Sequence, residues 1–207
     1  MRRTTAGATA HPEPTRRLYF RTWRPQDLPL ALLLFGDARV TSYIGGPFTE
    51  AQIRERFERE IDNLAKFQVQ YWPVFVKVSD DFAGVAKVSD DFAGVAKVSD
   101  DFAGCCGLRP RDPAQGSFEI GFYLRPKYWG KGLAAEAAQA VATYAFDAVG
   151  ARRLFAGHHP ENAASRRALA KLGMRYTHDE LYPPTGLLHP SYILERNEPR
   201  PEVETDD

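Results

Sequence analysis

The sequence predicts a single α/β domain, and two neighbouring stretches near its centre carry that prediction. Residues 117–124 alternate apolar and polar side chains with the period of a half-buried strand. From Leu133 to Ala145, apolar residues recur at helical spacing, and Gly150 stands where a helix would end. With 207 residues, the chain is long enough to bury a core of its own. We therefore expect strands and helices to alternate within one domain.

The remaining elements are predicted from the same periodicities and from helix-capping signals. Thr49 is a predicted N-cap, and Gln52 three residues later completes a capping box. The charged residues of the helix that follows are predicted to form a solvated face. The helix after Thr49 has Ile53, Phe57, Ile61 and Leu64 on its apolar face. Before it, the sequence predicts a strand over residues 17–22 and a helix over 27–35. After it, the predicted elements are a strand over 71–78, a strand over 153–158, a helix over 163–172, and two strands within 174–194 around a turn at 183–186.

In the two terminal segments of the chain, apolar residues do not recur at a regular spacing. We expect residues 1–15 to form a disordered arm and residues 196–207 to form a disordered acidic tail. The folded domain is then predicted over residues 16–195.

The segment KVSDDFAG occurs three times, beginning at Lys77, Lys87 and Lys97. Solenoid proteins usually repeat every 20–50 residues or so, and this period of ten residues is too short for one. With one copy retained, the surrounding sequence predicts an ordinary hairpin that leads into the central strand. We therefore predict that residues 77–96 are an insertion in the hairpin between the second and third strands, and we assign it no function.

Composition excludes several classes of partner. The chain carries 27 basic and 27 acidic residues, so no excess charge indicates nucleic acid or an acidic membrane surface. No apolar run approaches the length of a membrane span, and no signal peptide is visible. Cys105 and Cys106 are adjacent and would bridge only with strain, which favours a reducing cytoplasm.

The start of the central helix is predicted to accept an anion. Trp129 to Leu133 contain no Ser, Thr, Asp or Asn that could cap it. A helix start has four backbone N–H groups without intrahelical partners and carries partial positive charge. Because Gly130 and Gly132 keep side chains away, this end is open to a phosphate group.

Three kinds of phosphate site share such a turn. A Walker loop requires Lys followed by Ser or Thr, which Lys131-Gly132 does not supply. Gly130, Gly132 and Ala135 match a dinucleotide fingerprint, but the acidic residue expected about 20 positions later is missing, because residues 150–153 are Gly-Ala-Arg-Arg. The third kind is the pyrophosphate loop Q/R-x-x-G-x-G/A of the GNAT superfamily of N-acetyltransferases. Residues 129–134 resemble it, with Trp129 in place of the Gln or Arg.

The resemblance to the GNAT superfamily extends over residues 16–195. Residues 161–167, followed by Lys171 to Met174, resemble the segment P-E-N-x-x-S-x-R…K-x-G-F of that superfamily. Residues 17–27, 119–122 and 128–132 are similar to its Rim-type branch, which acetylates the N-termini of ribosomal proteins. The resemblance implies a mixed, mostly antiparallel central sheet that is flanked by helices and splayed open beside the cofactor.

The resemblance also implies acetyl-CoA as the donor and a primary amine as the acceptor, either a protein N-terminus or a small molecule. We expect the protein to be a monomer or homodimer. Loop residues 43–48 would border the acceptor site. Asn162 would hydrogen-bond the pantetheine arm, and Ser165 would lie near the sulfur. The implied cofactor-binding residues are Phe122, Tyr123, Leu124, Trp129, Gly130, Lys131, Gly132, Leu133, Ala134, Ala135, Asn162 and Ser165.

Amide formation from a thioester requires a neutral amine and a proton for the departing thiolate. Glu119 is the candidate base, because it leads the strand that the family uses to hold the thioester; the alternative is a solvent-facing strand charge. Ser165 is the candidate acid, with Tyr123 and Tyr192 as further possibilities. Local helix capping is the alternative role of Asn162 and Ser165, and the two roles are compatible.

Other chemistries and another functional class compete with this interpretation. Adjacent His158 and His159 would point apart on a strand, and no ligand stands at a spacing that completes a metal site, so we predict none. No residue pattern indicates a base that would pair with Cys105 or Cys106 and activate it as a nucleophile. The alternative class is a catalytically silent acyl-CoA-binding or regulatory module, which the substitution at Trp129 leaves open.

Overall fold

The computed structural model describes residues 10–77 and 101–196. Over these residues the chain forms one seven-stranded sheet in the order β1-β2-β3-β4-β5-β7-β6. Adjacent strands are antiparallel except for the parallel pair β4–β5. The strands are β1 (Leu18–Phe20), β2 (Tyr71–Val76), β3 (Phe102–Asp112), β4 (Ser117–Leu124), β5 (Arg153–Gly157), β6 (Arg175–Tyr182) and β7 (Leu187–Glu195).

Helices cover both faces of this sheet, which confirms the predicted mixed, mostly antiparallel α/β domain. One face packs against α4 and α5 and the other against α1 and α3. The helices are α1 (Leu28–Phe35), α2 (Ala38–Thr41), α3 (Glu50–Phe67), α4 (Leu133–Tyr144) and α5 (Ala163–Lys171), and a π-helical turn (Ala145–Val149) extends α4. None of the described helices is both long and apolar enough to cross a membrane.

Strand β4 shows how the sequence divides the two faces. Phe118 and Ile120 are buried in the core beneath α4. Alternation places Glu119 and Tyr123 on the opposite face, where Tyr123 packs with the core beneath α1 and α3. We call the first side the α4 face and the second side the α3 face.

Helix α3 confirms its predicted start and corrects its predicted solvated face. The Thr49 hydroxyl accepts from the Gln52 N–H, and the Gln52 side chain accepts from the Thr49 N–H, as a capping box requires. Glu60, however, is only 4% exposed. Its carboxylate accepts from the Tyr71 N–H at 2.7 Å and pairs with Arg109 at 3.0 Å. The Glu60 carboxylate can therefore be buried because both of its oxygens have partners. The helical pattern of α3 does not show these partners.

Six residues of the predicted disordered arm, 10–15, lie against the domain. The Trp72 indole N–H donates to the Ala10 carbonyl at 2.9 Å, and the Thr15 hydroxyl donates to the Glu136 carboxylate at 2.5 Å. These partners come from β2 and α4, so the local sequence of the arm does not show them. Residues 1–9 and 197–207 lie outside the described residues, and the rest of the predicted arm and almost all of the predicted tail lie with them.

The repeat stands in the connection between β2 and β3. Residues 78–100, which hold most of it, lie outside the described residues. Phe75 and Phe102 are nevertheless paired across the two strands, and the Val76 N–H donates to the Asp101 carbonyl at 2.9 Å. The chain thus leaves β2 and returns to β3 at adjacent positions. That geometry suits an insertion in the hairpin, which stays a prediction.

Candidate active site

The turn before α4 is open, as its glycines predicted. Gly130 and Gly132 have φ angles of 73° and 72°, which side chains rarely adopt. Gly132 is the N-cap of α4 and supplies no side-chain hydrogen bond. A Cβ added at Gly130 would meet nothing within 4 Å. No side chain of Gly130 or Gly132 therefore covers the start of α4, and phosphate binding at this turn stays a prediction.

Trp129 stands where the family pattern has Gln or Arg. Its indole N–H donates to the Leu124 carbonyl at 2.7 Å, while 49% of the residue stays exposed. Trp129 thus ties the turn to the end of β4 through a single hydrogen bond.

Arg17 and Glu136 support this turn, and sequence reasoning missed both. Arg17 pairs with Glu136 at 2.6 Å and donates to the Lys131 carbonyl at 3.0 Å. Burial alone would raise the pKa of Glu136, but hydrogen bonds from Thr15 and Arg17 hold that pKa below its usual value. The two residues are 119 positions apart, so only the fold brings them together.

A gap opens between β4 and β5 next to this turn. The two strands pair over only three residues each, Ser117–Glu119 with Arg153–Phe155. Within the described strands no β4–β5 pairing continues beyond Glu119, although β5 goes on pairing with β7 as far as Gly157. The carboxyl end of β4 therefore has a free edge that faces the gap. This edge contains Phe122, Tyr123 and Leu124, which were predicted to line the cofactor.

Asn162 and Ser165 lie at the start of α5, which follows β5 directly. The Asn162 side-chain oxygen accepts from the Ser165 N–H at 3.0 Å, so Asn162 is the N-cap of α5. The capping role is thus present in the structure. This hydrogen bond uses the oxygen of the Asn162 side-chain amide, so the amide nitrogen can still donate to another partner.

Glu119 lies on the α3 face, where the gap begins, and is partly buried. It stands opposite Arg109 in the β3–β4 register. Burial raises the pKa of the Tyr71 hydroxyl well above its ordinary range, and the negative charge of Glu119 raises it further. Burial and the Glu119 charge also raise the pKa of Tyr182. Glu119 therefore lies close enough to Tyr71 and Tyr182 to influence both hydroxyls, and its role as a base stays a prediction.

Tyr192, a further candidate acid, is bonded to His158 on the α4 face. The His158 Nδ1 lies 2.7 Å from the His159 carbonyl, which can only accept, so Nδ1 carries the proton. The His158 Nε2, 3.2 Å from the Tyr192 hydroxyl, is then the acceptor in the neutral imidazole. The Tyr192 proton is thus directed at His158.

His159 belongs to a different group of side chains, which it forms with Tyr43 and His189. Its ring lies 4.7 Å from that of Tyr43 and 5.5 Å from that of His189. The predicted acceptor loop, residues 43–48, also approaches the β6–β7 turn, because a Cβ at Gly45 would lie 2.7 Å from the Pro184 Cβ. Among the described residues, no three His, Cys, Asp or Glu side chains are grouped as a metal site.

The two cysteines are free and buried. Burial raises the pKa of both thiols, so neither is a thiolate at neutral pH. That neither thiol acts as a nucleophile stays a prediction.

An uncapped helix start next to a gap between two parallel strands is the arrangement expected of a transferase domain for a coenzyme A thioester. The single parallel pair of this sheet excludes the dinucleotide-binding interpretation, which requires a parallel sheet. The family model described as an acetyltransferase (GNAT) domain matches residues 17–175, and the chain belongs to that family. It is an acetyltransferase, and GNAT enzymes use acetyl-CoA as donor, as predicted.

Curated relatives and solved structures agree with this assignment. The chain is 28% identical to the uncharacterized N-acetyltransferase p20 of Bacillus licheniformis, over 78% of this chain and 80% of the relative. It is 30% identical to the uncharacterized protein YkkB of Bacillus subtilis, over 79% and 84%. A GNAT-family acetyltransferase from Bacillus anthracis aligns with a TM-score of 0.67 and 24% identity, over 88% and 97%. RimL, a ribosomal L7/L12 α-N-protein acetyltransferase solved with coenzyme A, aligns with a TM-score of 0.66 and 14% identity, over 87% and 95%.

Proposed function

We propose that this protein transfers the acetyl group of acetyl-CoA to a primary amine, either a protein N-terminus or a small molecule, by direct attack of the amine on the thioester. The observation that carries the proposal is the adjacency of the uncapped Gly130–Gly132 turn and the β4–β5 gap, with Glu119 where the gap begins. Phosphates would bind residues 130–135 beside Trp129, and the pantetheine arm would follow the free edge of residues 122–124.

Glu119 is the proposed base. An α-amine has an unperturbed pKa of about 7.7–8.0, so a carboxylate, directly or through a water, can remove its proton near neutral pH. The neutral amine forms the N–C bond as the C–S bond breaks, and the proton that the nitrogen then loses passes to Glu119 and on to solvent. The thiolate takes a proton from Ser165, which regains one from solvent. Asn162 would hold the pantetheine through its amide nitrogen, which is compatible with its capping bond.

Two further expectations belong to this proposal. A reducing cytoplasm suits the buried, unbridged Cys105 and Cys106. We expect the enzyme to act as a monomer or homodimer, without nucleic acid or membrane.

The test is a screen of primary amines with acetyl-CoA, in which the release of free CoA is measured, together with calorimetry of acetyl-CoA binding. We expect tight binding and turnover of at least one class of amine. The alternative is a silent acyl-CoA-binding module, which the loss of the usual Gln or Arg at Trp129 leaves open. Tight binding with no turnover of any amine would support that alternative and overturn the proposal.

A further inference from the structure

Trp129 is the only one of the three tryptophans that is open to solvent. It is 49% exposed, whereas Trp23 and Trp72 are 6% and 0% exposed. A tryptophan ring carries a large apolar area, which stays in contact with water until a ligand or another chain covers it. The position of this ring relative to β4 indicates which part of a ligand would cover it.

The indole of Trp129 lies on the side of β4 that faces the gap. The Arg125 N–H donates to the Ala103 carbonyl of β3 at 2.8 Å. The peptide bond between Leu124 and Arg125 is trans, so the Leu124 carbonyl points the opposite way, away from β3. This is the side on which β4 pairs with β5 nearer its start. Because the Trp129 indole N–H donates to this carbonyl at 2.7 Å, the ring lies at the gap-facing edge of β4.

The ring therefore stands between two proposed cofactor contacts. The Gly130–Gly132 turn, which follows Trp129 directly, would bind the pyrophosphate. The free edge of residues 122–124 would hold the pantetheine arm on its way to Glu119. In coenzyme A the pyrophosphate separates the adenosine from the pantetheine, and the first unit on the pantetheine side is pantoic acid, which has two methyl groups on one carbon. A cofactor that spans the turn and the β4 edge brings this unit to Trp129.

The hydrogen bonding of Trp129 argues against a polar role toward the phosphates. Tryptophan has a single side-chain donor, its indole N–H, and here the Leu124 carbonyl takes it. A Gln or Arg, which the family pattern has at this position, would have further N–H groups to offer. Trp129 therefore presents its apolar ring to a ligand, and an apolar ring suits methyl groups better than a phosphate.

We propose that the exposed ring of Trp129 packs against the branched methyl groups of the pantoic acid unit and so contributes to the affinity for the pantetheine half of the cofactor. This inference rests on the proposed function and adds a subsite for one named part of the donor. It also accounts for the substitution at Trp129, because apolar contact with the pantetheine supplies affinity without a side-chain hydrogen bond to a phosphate.

The first test uses Trp129 as its own reporter. Acrylamide quenches the fluorescence of exposed tryptophans, and Trp23 and Trp72 are buried. We expect saturating CoA to shield Trp129 from acrylamide, and we expect 4′-phosphopantetheine, which lacks the adenosine, to shield it equally. Calorimetry establishes saturation by each ligand. Shielding by CoA that phosphopantetheine does not reproduce would assign the ring to the adenosine and overturn the inference.

The same titration separates this inference from the proposed function. Binding of CoA without any shielding of Trp129 would overturn the inference and leave the proposed function intact. Absence of CoA binding would overturn both.

The matched variants are Trp129→Phe, which keeps a ring without the N–H, and Trp129→Gln, which keeps an N–H without the ring. We expect Trp129→Phe to bind CoA and phosphopantetheine with nearly wild-type affinity. Trp129→Gln should lose about five- to tenfold for both ligands, because the apolar contact is lost. Phe67→Gln, which removes an exposed ring at the end of α3, is the control and should behave as the wild type. Retained affinity in Trp129→Gln, or an equal loss in both Trp129 variants, would exclude this apolar contact and overturn the inference.

Discussion

Arg17 donates a hydrogen bond of 3.0 Å to the carbonyl oxygen of Lys131, inside the turn that opens α4. The carbonyl and the following N–H of a trans peptide point in opposite directions. Because Arg17 holds the Lys131 carbonyl pointing toward its own guanidinium, the Gly132 N–H of the same peptide points away from Arg17. The bond therefore fixes the orientation of an amide that would face a bound phosphate.

The first prediction concerns this support of the turn. We expect Arg17→Ala to weaken CoA binding by about tenfold, roughly 1.4 kcal/mol, because one charge-assisted hydrogen bond to the turn is lost. Arg16→Ala is the control, since Arg16 is an exposed arginine next to it. Calorimetric titration with CoA measures both. An unchanged CoA affinity in Arg17→Ala would show that the turn keeps its orientation without this contact.

The second prediction concerns the pH dependence of stability. Because the pKa of Glu136 is lowered in the folded protein, the folded state binds this proton less readily than the unfolded chain does. Its contribution to stability is then present at neutral pH, above the usual value near 4.5, and is lost as the pH falls through the folded pKa. We expect Glu136→Gln to be less stable than wild type at pH 7, with the difference shrinking on acidification. Denaturant unfolding from pH 7 to pH 3 measures this, and a constant difference would contradict it.

The third prediction tests the phosphate turn directly. Gly132→Asp should abolish binding of CoA and acetyl-CoA, because it places a carboxylate where the phosphates would lie. The control is Gly150→Asp, since Gly150 has a φ of 76° and a Cβ there would meet nothing within 4 Å. Both variants carry the strain of a left-handed backbone, on the order of 1 kcal/mol, so their stabilities should fall similarly. Calorimetry should show CoA binding only in the control and no NAD binding in the wild type. NAD binding, or equal CoA affinity in the two variants, would refute the assignment of the turn.

The fourth prediction concerns the repeat. Deleting residues 77–96 places Lys97 directly after Val76, so the sequence after β2 is regenerated from an identical copy. Phe75 and Phe102 pair across the hairpin, and a shorter connection can close the same strands. Loop length changes closure entropy by only about 0.6 kcal/mol per doubling. We expect a cooperative melt and wild-type CoA affinity. Loss of the cooperative melt would show that the extra copies belong to the core.

Features that depend on neighbouring residues were predictable from the sequence. The Thr49–Gln52 capping box, the alternation of β4 and the uncapped start of α4 each involve a few consecutive residues. The two-glycine turn was predictable for the same reason, because backbone freedom is a property of the residue itself.

Features that depend on distant partners were not predictable. Glu60 was assigned to a solvated face of α3, but Tyr71 and Arg109 bury it. Thr15 was assigned to the disordered arm, but its hydroxyl donates to Glu136, 121 residues away. The spacing of apolar residues along a helix or strand shows only which side of that element is apolar. It cannot show which charged side chain will find a partner in another element.

The last prediction separates an enzyme from a silent binder and concerns Glu119 at the start of the β4–β5 gap. We expect Glu119→Gln to keep its acetyl-CoA affinity but to lose turnover, because general bases typically contribute about 10²–10⁴-fold. The loss should be greatest at low pH, where fewer amines are already neutral, and should shrink as the pH rises past the amine pKa. Glu58→Gln, an exposed carboxylate on α3, is the control and should behave as the wild type.

The two residues at the start of α5 give complementary readouts in the same measurement. Ser165→Ala should reduce turnover, whereas Asn162→Ala should first weaken acetyl-CoA affinity, because its proposed role is to hold the pantetheine. Asn162→Asp retains the capping oxygen that accepts from the Ser165 N–H and removes the amide nitrogen, so it distinguishes capping from pantetheine binding. Steady-state kinetics from pH 6 to pH 9 and CoA titrations of each variant provide the data. Wild-type turnover in Glu119→Gln at every pH would exclude Glu119 as the base and leave the role to a water or a tyrosine.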